Sequence, residues 1–176
     1  IVAFLADINI LGINELLVVV PDVFSIPTPV AISGTLADGG EVVGFSWAPN
    51  NSRIAYRADQ FEDEKFDLIT VVPDVNSLNP RPDPRLVSGN IIGDVFDFAW
   101  SPDSSRIAYI ADGDTLGVFE LYTNVPFGTS EFKVSGTLTQ GGDVTAFAWA
   151  PDSSLIAYQA SQDEANKEEL YVTLPF

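Results

Sequence analysis

Phe98–Tyr109 reads FAWSPDSSRIAY. Nearly the same twelve residues stand upstream at Phe45–Tyr56, FSWAPNNSRIAY, and downstream at Phe147–Tyr158, FAWAPDSSLIAY. The tryptophans of the three copies, Trp47, Trp100 and Trp149, are 53 and 49 positions apart. A chain that repeats at this interval is built from repeated structural units, and the unit must be read before anything else.

Further landmarks keep the register. Ser33-Gly34, Ser88-Gly89 and Ser135-Gly136 precede successive copies. Ala58-Asp59 and Ala111-Asp112 follow the Ile-Ala-Tyr run, with Ala160-Ser161 as the variant. Asp67-Leu68, Glu120-Leu121 and Glu169-Leu170 come next. At the N-terminus, IVAFLAD (1–7) and NELLVVVPD (14–22) match RIAYRAD (53–59) and FDLITVVPD (66–74) at a shift of 52. The chain thus enters partway through a repeat.

Each unit reads as four short strands. In the copy containing Trp100, Asp94–Trp100 alternates apolar and polar residues, as a half-buried strand does. Ser101-Pro102-Asp103-Ser104-Ser105 is a turn, with Pro presetting its dihedral and Asp and Ser bonding the local backbone. Arg106–Asp112 is a second strand, Val118–Val125 a third, and Glu131–Leu138 a fourth. No segment has convincing helical periodicity. The longest apolar stretch, Leu16–Val20, ends at Pro21 and fits a buried strand; no run is long enough to span a membrane as a helix. About fifty residues holding four antiparallel strands is the pattern of a β-propeller blade. The expected fold is all-β, a propeller or an arc of one, with about 3.5 repeats. The expected units are a partial blade at 1–38, blades at 39–91 and 92–140, and a partial blade at 141–176. The Trp and Tyr residues are expected between blades.

The pattern W-[SA]-P-[DN]-x-S-x-IAY, then AD, then ELY, resembles the TolB-like or PD40 (WD40-like) propeller repeat. The match is close at Trp100-Ser101-Pro102-Asp103, Ile107-Ala108-Tyr109 and Glu120-Leu121-Tyr122. More narrowly, SGTL-xx-GGDV-xx-F-x-W-x-PDSS-x-IAY-x-AD is similar to tandem arrays in bacterial secreted or surface proteins. Asn50 and Ser161 depart from the family's aspartates. The resemblance implies a bacterial, extracytoplasmic protein (periplasmic, secreted or at the cell surface) and a platform for protein interaction. It equally admits the non-catalytic propeller portion of a larger hydrolase such as a peptidase, or a calcium-dependent surface or adhesive protein. Fold alone does not choose among these.

Composition narrows the chemistry. Cys, His and Met are absent from the 176 residues, which removes disulfides, thiolate or imidazole zinc sites and every Ser-His or Cys-His nucleophile. An enzyme would have to work with carboxylates, Lys, Tyr or Ser alone, and catalysis is not expected. With 25 acidic and 8 basic residues, net charge is −17, a field that repels nucleic acid and anionic membrane surfaces. Expected partners are a protein or a second copy completing the propeller. No signal peptide is visible before the strand-like residues at Ile1, so either one was removed or the chain is a piece of a longer protein.

Two sets of acids are candidate sites. Asp112 and Asp114, in Asp112-Gly113-Asp114, offer hard oxygens two residues apart, the spacing calcium uses; solvated turn residues are the competing reading. No other cofactor is expected. Glu41, Asp94 and Asp143 open successive innermost strands. They are expected to form a partial ring near the channel mouth, able to hold a cation or a basic peptide, or else to be turn acids beside Gly40, Gly93 and Gly142. The Pro-Asp turns at Asp103 and Asp152 read as structural. Asn50-Asn51-Ser52 is a formal glycosylation sequon that matters only in a eukaryotic secretory route.

Overall fold

The computed structural model describes residues 1–22, 24–74, 82–128 and 130–176. The part of the expected 39–91 unit at residues 75–81 lies outside the described residues. Among the described residues there are fourteen strands and no helix. They fall into two compact units, Ile1–Arg85 and Leu86–Phe176.

In the first unit, β1 (Val2–Ala6), β2 (Glu15–Val19) and β3 (Val30–Ala31) form a three-stranded sheet in that order. β4 (Val42–Trp47), β5 (Ile54–Ala58), β6 (Asp67–Val71) and β7 (Arg85–Leu86) form a four-stranded sheet, and the boundary between units falls inside β7. In the second unit, β8 (Val95–Trp100), β9 (Ile107–Ala111), β10 (Glu120–Asn124) and β11 (Phe132–Lys133) repeat that order. β12 (Val144–Trp149), β13 (Ile156–Ala160) and β14 (Glu169–Thr173) form the last sheet. Every registered pairing is antiparallel between neighbours in sequence, as short loops require.

Three local devices recur and explain the repeated residues. The first is the turn after each tryptophan. Ser101 N–H donates to Arg106 O (2.9 Å) and Ser104 N–H to Ser101 O (2.9 Å), and Ser104 adopts φ 64°. Asn51 (φ 59°) and Ser153 (φ 64°) stand at the same place, where short polar residues tolerate the left-handed region. Asp103 Oδ1 accepts the Ser101 hydroxyl (2.6 Å) and Ser105 N–H (3.0 Å), while Asn50 and Asp152 accept Ser52 N–H and Ser154 N–H. The Ser101 hydroxyl above all, then the Ser105 amide, lowers the Asp103 carboxyl pKa to about 2. Its charged form is thus favoured by folding, so its contribution is complete above the ordinary value of 3.8 and is lost as pH falls through about 2. Denaturant midpoints measured from pH 5 to pH 2 should fall less steeply in Asp103→Asn than in the parent; identical slopes would contradict the assignment.

The second device is a bulge at the start of each innermost strand, between Val42 and Gly44, Val95 and Asp97, and Val144 and Ala146. The extra residue re-aims the chain. The three valines stay buried.

The third is the Ser-Gly pair. The sequence predicts a strand over Glu131–Leu138, but ladder pairing in β11 covers only Phe132–Lys133. The Ser135 hydroxyl accepts Leu121 N–H (3.1 Å), and Val134 and Ser135 N–H both go to Leu121 O (2.8 and 3.2 Å). The serine side chain takes over the ladder's role and ends the strand.

The core lies between stacked sheets. In the second unit, Ala108, Ile110, Leu121 and Val134 form one buried cluster with Val144, Ile156, Tyr158 and Ala160. Trp149 Nε1–H donates to Ala99 O (3.1 Å) and joins the two sheets, as expected of an inter-blade tryptophan. Tyr56, Tyr109 and Tyr158 are buried. Tyr56 and Tyr158 hydrogen-bond the glutamine four residues on, Gln60 (2.6 Å) and Gln162 (2.8 Å). Gly113 stands at that place after Tyr109, because a Cβ there would lie 2.9 Å from Tyr122 Oη. Tyr109 Oη consequently has no hydrogen-bond partner among the described residues.

Candidate functional site

In three of the four sheets, the loop after the Ile-Ala-Tyr strand or its counterpart β1 turns on one aspartate. Asp112 is 8% exposed, and its Oδ1 accepts Asp94 N–H while its Oδ2 accepts Gly117 N–H (2.9 Å). Asp59 does the same for Glu41 N–H and Glu64 N–H (3.1 Å), and Asp7 accepts Gly12 N–H (3.3 Å). In every case the loop residue bound lies five positions on and has positive φ: Gly12 82°, Glu64 63°, Gly117 74°. Asn166, five after Ser161, keeps the conformation with φ 62°. The carboxylate therefore clamps a strained loop to the head of the innermost strand. Asp114 makes an ion pair with Lys133 (2.8 Å), whose Nζ also meets Glu120 (3.0 Å). The bond to Asp114 raises the Lys133 pKa, with partial burial working the other way. The two aspartates of the calcium reading are thus engaged by backbone amides and by a lysine respectively. Among the described residues no group of three or more Asp and Glu is arranged to hold a metal ion.

Two of the strand-opening acids, Glu41 and Asp143, each tie a sheet to the one before it within its own unit. In the first unit, Glu41 Oε2 accepts Asn14 Nδ2–H (3.1 Å) while Val42 N–H donates to Asn14 O (2.8 Å). In the second, Asp143 Oδ1 accepts Phe119 N–H (2.8 Å) and Val144 N–H donates to Phe119 O (2.8 Å). Asp94 contributes its backbone to the Asp112 clamp, accepting Asp112 N–H (3.3 Å) in return.

Asp143 also opens onto a feature that the repeat does not advertise. Phe96, Phe119, Asp143, Val144 and Thr145 line a cleft of about 290 Å³ in the second unit. The bulge at Val95 turns Phe96 outward, where it is 61% exposed. Its ring lies 5.7 Å from that of Phe119 at an angle of 56°. Phe119 is held from both ends of its peptide by Asp143 and Val144, so one wall of the cleft is rigid. Val43 and Thr145 occupy the bulge position of the neighbouring copies, while Phe66 and Glu168 stand where Phe119 does. The substitution at the bulge position was the available signal for Phe96. Chemically, the cleft offers two aromatic faces beside an anchored carboxylate. It can take a flat apolar group that carries a positive charge.

No protein-family model and no curated protein matches the chain. Solved structures do. A protein assigned as TolB from Agrobacterium tumefaciens matches with a TM-score of 0.58 at 12% identity, over 97% of this chain and 56% of that one. The tricorn protease matches with a TM-score of 0.53 at 18% identity, over 76% of this chain and 12% of that one. An oligogalacturonate lyase in complex with manganese matches with a TM-score of 0.52 at 15% identity, over 84% and 38%. The chain spans little more than half of the TolB chain and less of the other two. All three are β-propellers, and at these identities the likeness is one of fold. Sheets of three and four antiparallel strands, repeated along an all-β chain and matched to these structures, give it a β-propeller fold.

Proposed function

We propose that the chain is the blade framework of a non-enzymatic, TolB-like binding platform that acts outside the bacterial cytoplasm. Its recognition end is the one where the innermost strands begin, and its partner is a protein presenting a basic, aromatic or aliphatic segment. The cleft lined by Phe96, Phe119 and Asp143 carries this reading. In the same unit Asp112 and Asp143 are bonded to backbone amides and Asp114 to a lysine, the arrangement of a scaffold. The repeat's resemblance to extracytoplasmic arrays supports the location. A second reading, the non-catalytic part of a larger hydrolase, draws on the likeness to the tricorn protease, of which this chain spans 12%.

Short synthetic peptides containing a Phe-Arg pair are the probe. Titration calorimetry should detect binding that weakens with added salt. Phe96→Ala should weaken it by about tenfold, roughly 1.4 kcal/mol, and Asp143→Asn should weaken it while preserving the Phe119 N–H contact. Equal affinity for a Phe-Asp peptide, or indifference to Phe96→Ala, would refute the reading. So would turnover of a peptide or glycosidic substrate that vanishes when one of these acids is replaced.

A further inference from the structure

Phe66 and Phe119 stand at one place in two copies of the repeat, each directly ahead of the acid that opens a third strand. The ring of Phe66 already carries a cation. The guanidinium carbon of Arg57, Cζ, lies 5.6 Å from its centroid, inside the range of about 6 Å over which an aromatic ring attracts a positive charge. Arg57 is on β5, where the register sets it opposite Leu68. In the next copy the residue opposite Leu121 is Ile110, and Ile110 is buried in the cluster with Val144 and Ile156. The second unit thus keeps the ring and has no arginine at that place. Beside Phe119 it has the cleft of about 290 Å³ instead.

The cleft matches the parts of a guanidinium. That group is planar, and Phe96 and Phe119 offer it two rings, 5.7 Å apart and inclined at 56°. It is positively charged, and Asp143 supplies the opposite charge. Asp143 Oδ1 accepts Phe119 N–H (2.8 Å), which fixes the carboxylate, while Oδ2 takes no hydrogen bond among the described residues. A guanidinium has several N–H donors, and Thr145, also lining the cleft, carries a hydroxyl that can accept a second one. A lysine ammonium would meet the same charge without the same shape. It is a compact, strongly hydrated point charge, whereas the guanidinium is weakly hydrated and stacks on aromatic faces. The net charge of −17 draws both cations alike, so discrimination between them falls to the rings.

We propose that the cleft formed by Phe96, Phe119 and Asp143 is an arginine-selective site, taking an arginine side chain of the partner in preference to a lysine. This selectivity rests on the platform reading above, which by itself asks only for a basic or apolar segment. The arginine lies with its plane against the phenylalanine rings and an N–H directed at Asp143 Oδ2, as a partner's version of what Arg57 does for Phe66.

Titration calorimetry on the full chain tests this with three peptides differing at one residue: Phe-Arg, Phe-Lys and Phe-citrulline. Phe-Arg should bind about tenfold more tightly than Phe-Lys. Citrulline keeps the planar shape without the charge, and its peptide should bind about tenfold or more below Phe-Arg. Phe96→Leu keeps an apolar side chain at a position 61% exposed, so the fold is not at risk. It should cut the preference for arginine over lysine to about threefold or less. Equal affinity for Phe-Arg and Phe-Lys, both weakened by Phe96→Ala, would overturn the arginine assignment and leave the platform reading standing. Binding of neither peptide would overturn both. A preference for arginine that survives Phe96→Leu intact would place the selectivity away from the rings and overturn the proposal alone.

Discussion

Leu121→Ala will lower the stability of the second unit by about 2–5 kcal/mol. Leu170→Ala, the same change at the same place in the repeat, will cost under about 0.5 kcal/mol in dilute protein. The difference lies in cover. Leu121 is fully enclosed in the cluster between β8–β11 and β12–β14, where truncation removes apolar burial and leaves a cavity in a close-packed interior. Leu170 faces water, and its methyl groups gain nothing by folding. In a chain of this length the first change corresponds to a melting temperature lowered by roughly 5–15 °C. Thermal denaturation of the two variants side by side decides it. Equal losses would mean that the sheets do not stack in repeat order.

The second large effect is at Asp112. Asp112→Ala removes the carboxylate that accepts both Asp94 N–H and Gly117 N–H, at a place only 8% exposed. Charge-assisted bonds of this kind contribute about 1.5–3 kcal/mol each, so the loss should reach about 3 kcal/mol or more. Asp112→Asn keeps one acceptor oxygen and should lose about half as much. Gly93→Ala should reproduce the alanine variant from the other side, since a Cβ at Gly93 would lie 2.1 Å from Asp112 Oδ1. Calcium in excess should leave the melting temperature of the parent unchanged, because the carboxylate is already committed. A calcium-dependent rise, or an Asp112→Ala variant as stable as the parent, would show that the clamp is misassigned.

The strands were legible because their residues recur. Ile-Ala-Tyr and Asp/Glu-Leu appear at fixed offsets, and the all-β propeller fold follows from four short strands per interval. The fourth strand was read too long because Ser135 bonds the backbone where a ladder carbonyl would otherwise act, a substitution that alternation alone does not reveal. The role of Asp112 was hidden for a different reason. Its spacing from Asp114 is visible in the chain, but the amide of Asp94, 18 positions away, reaches it only after β8 and β9 pair. Glu41 and Asp143 directly precede β4 and β12, but their bonds to Asn14 and Phe119 join neighbouring sheets and have no sequence signature. The aromatic cleft was missed because repeats draw attention to what is shared. Phe96 matters where the copies differ.

Within the second unit, the leucine face of β8–β11 is closed by the isoleucine and tyrosine face of β12–β14. Methyl-to-methyl nuclear Overhauser spectroscopy on protein labelled at Ala, Ile, Leu and Val tests it most directly. Cross-peaks should link Ala108, Ile110 and Leu121 to Val144, Ile156 and Ala160, with no such partners for Leu170 in dilute protein. Absence of the cross-peaks between those two sets, with both otherwise assigned, would contradict it.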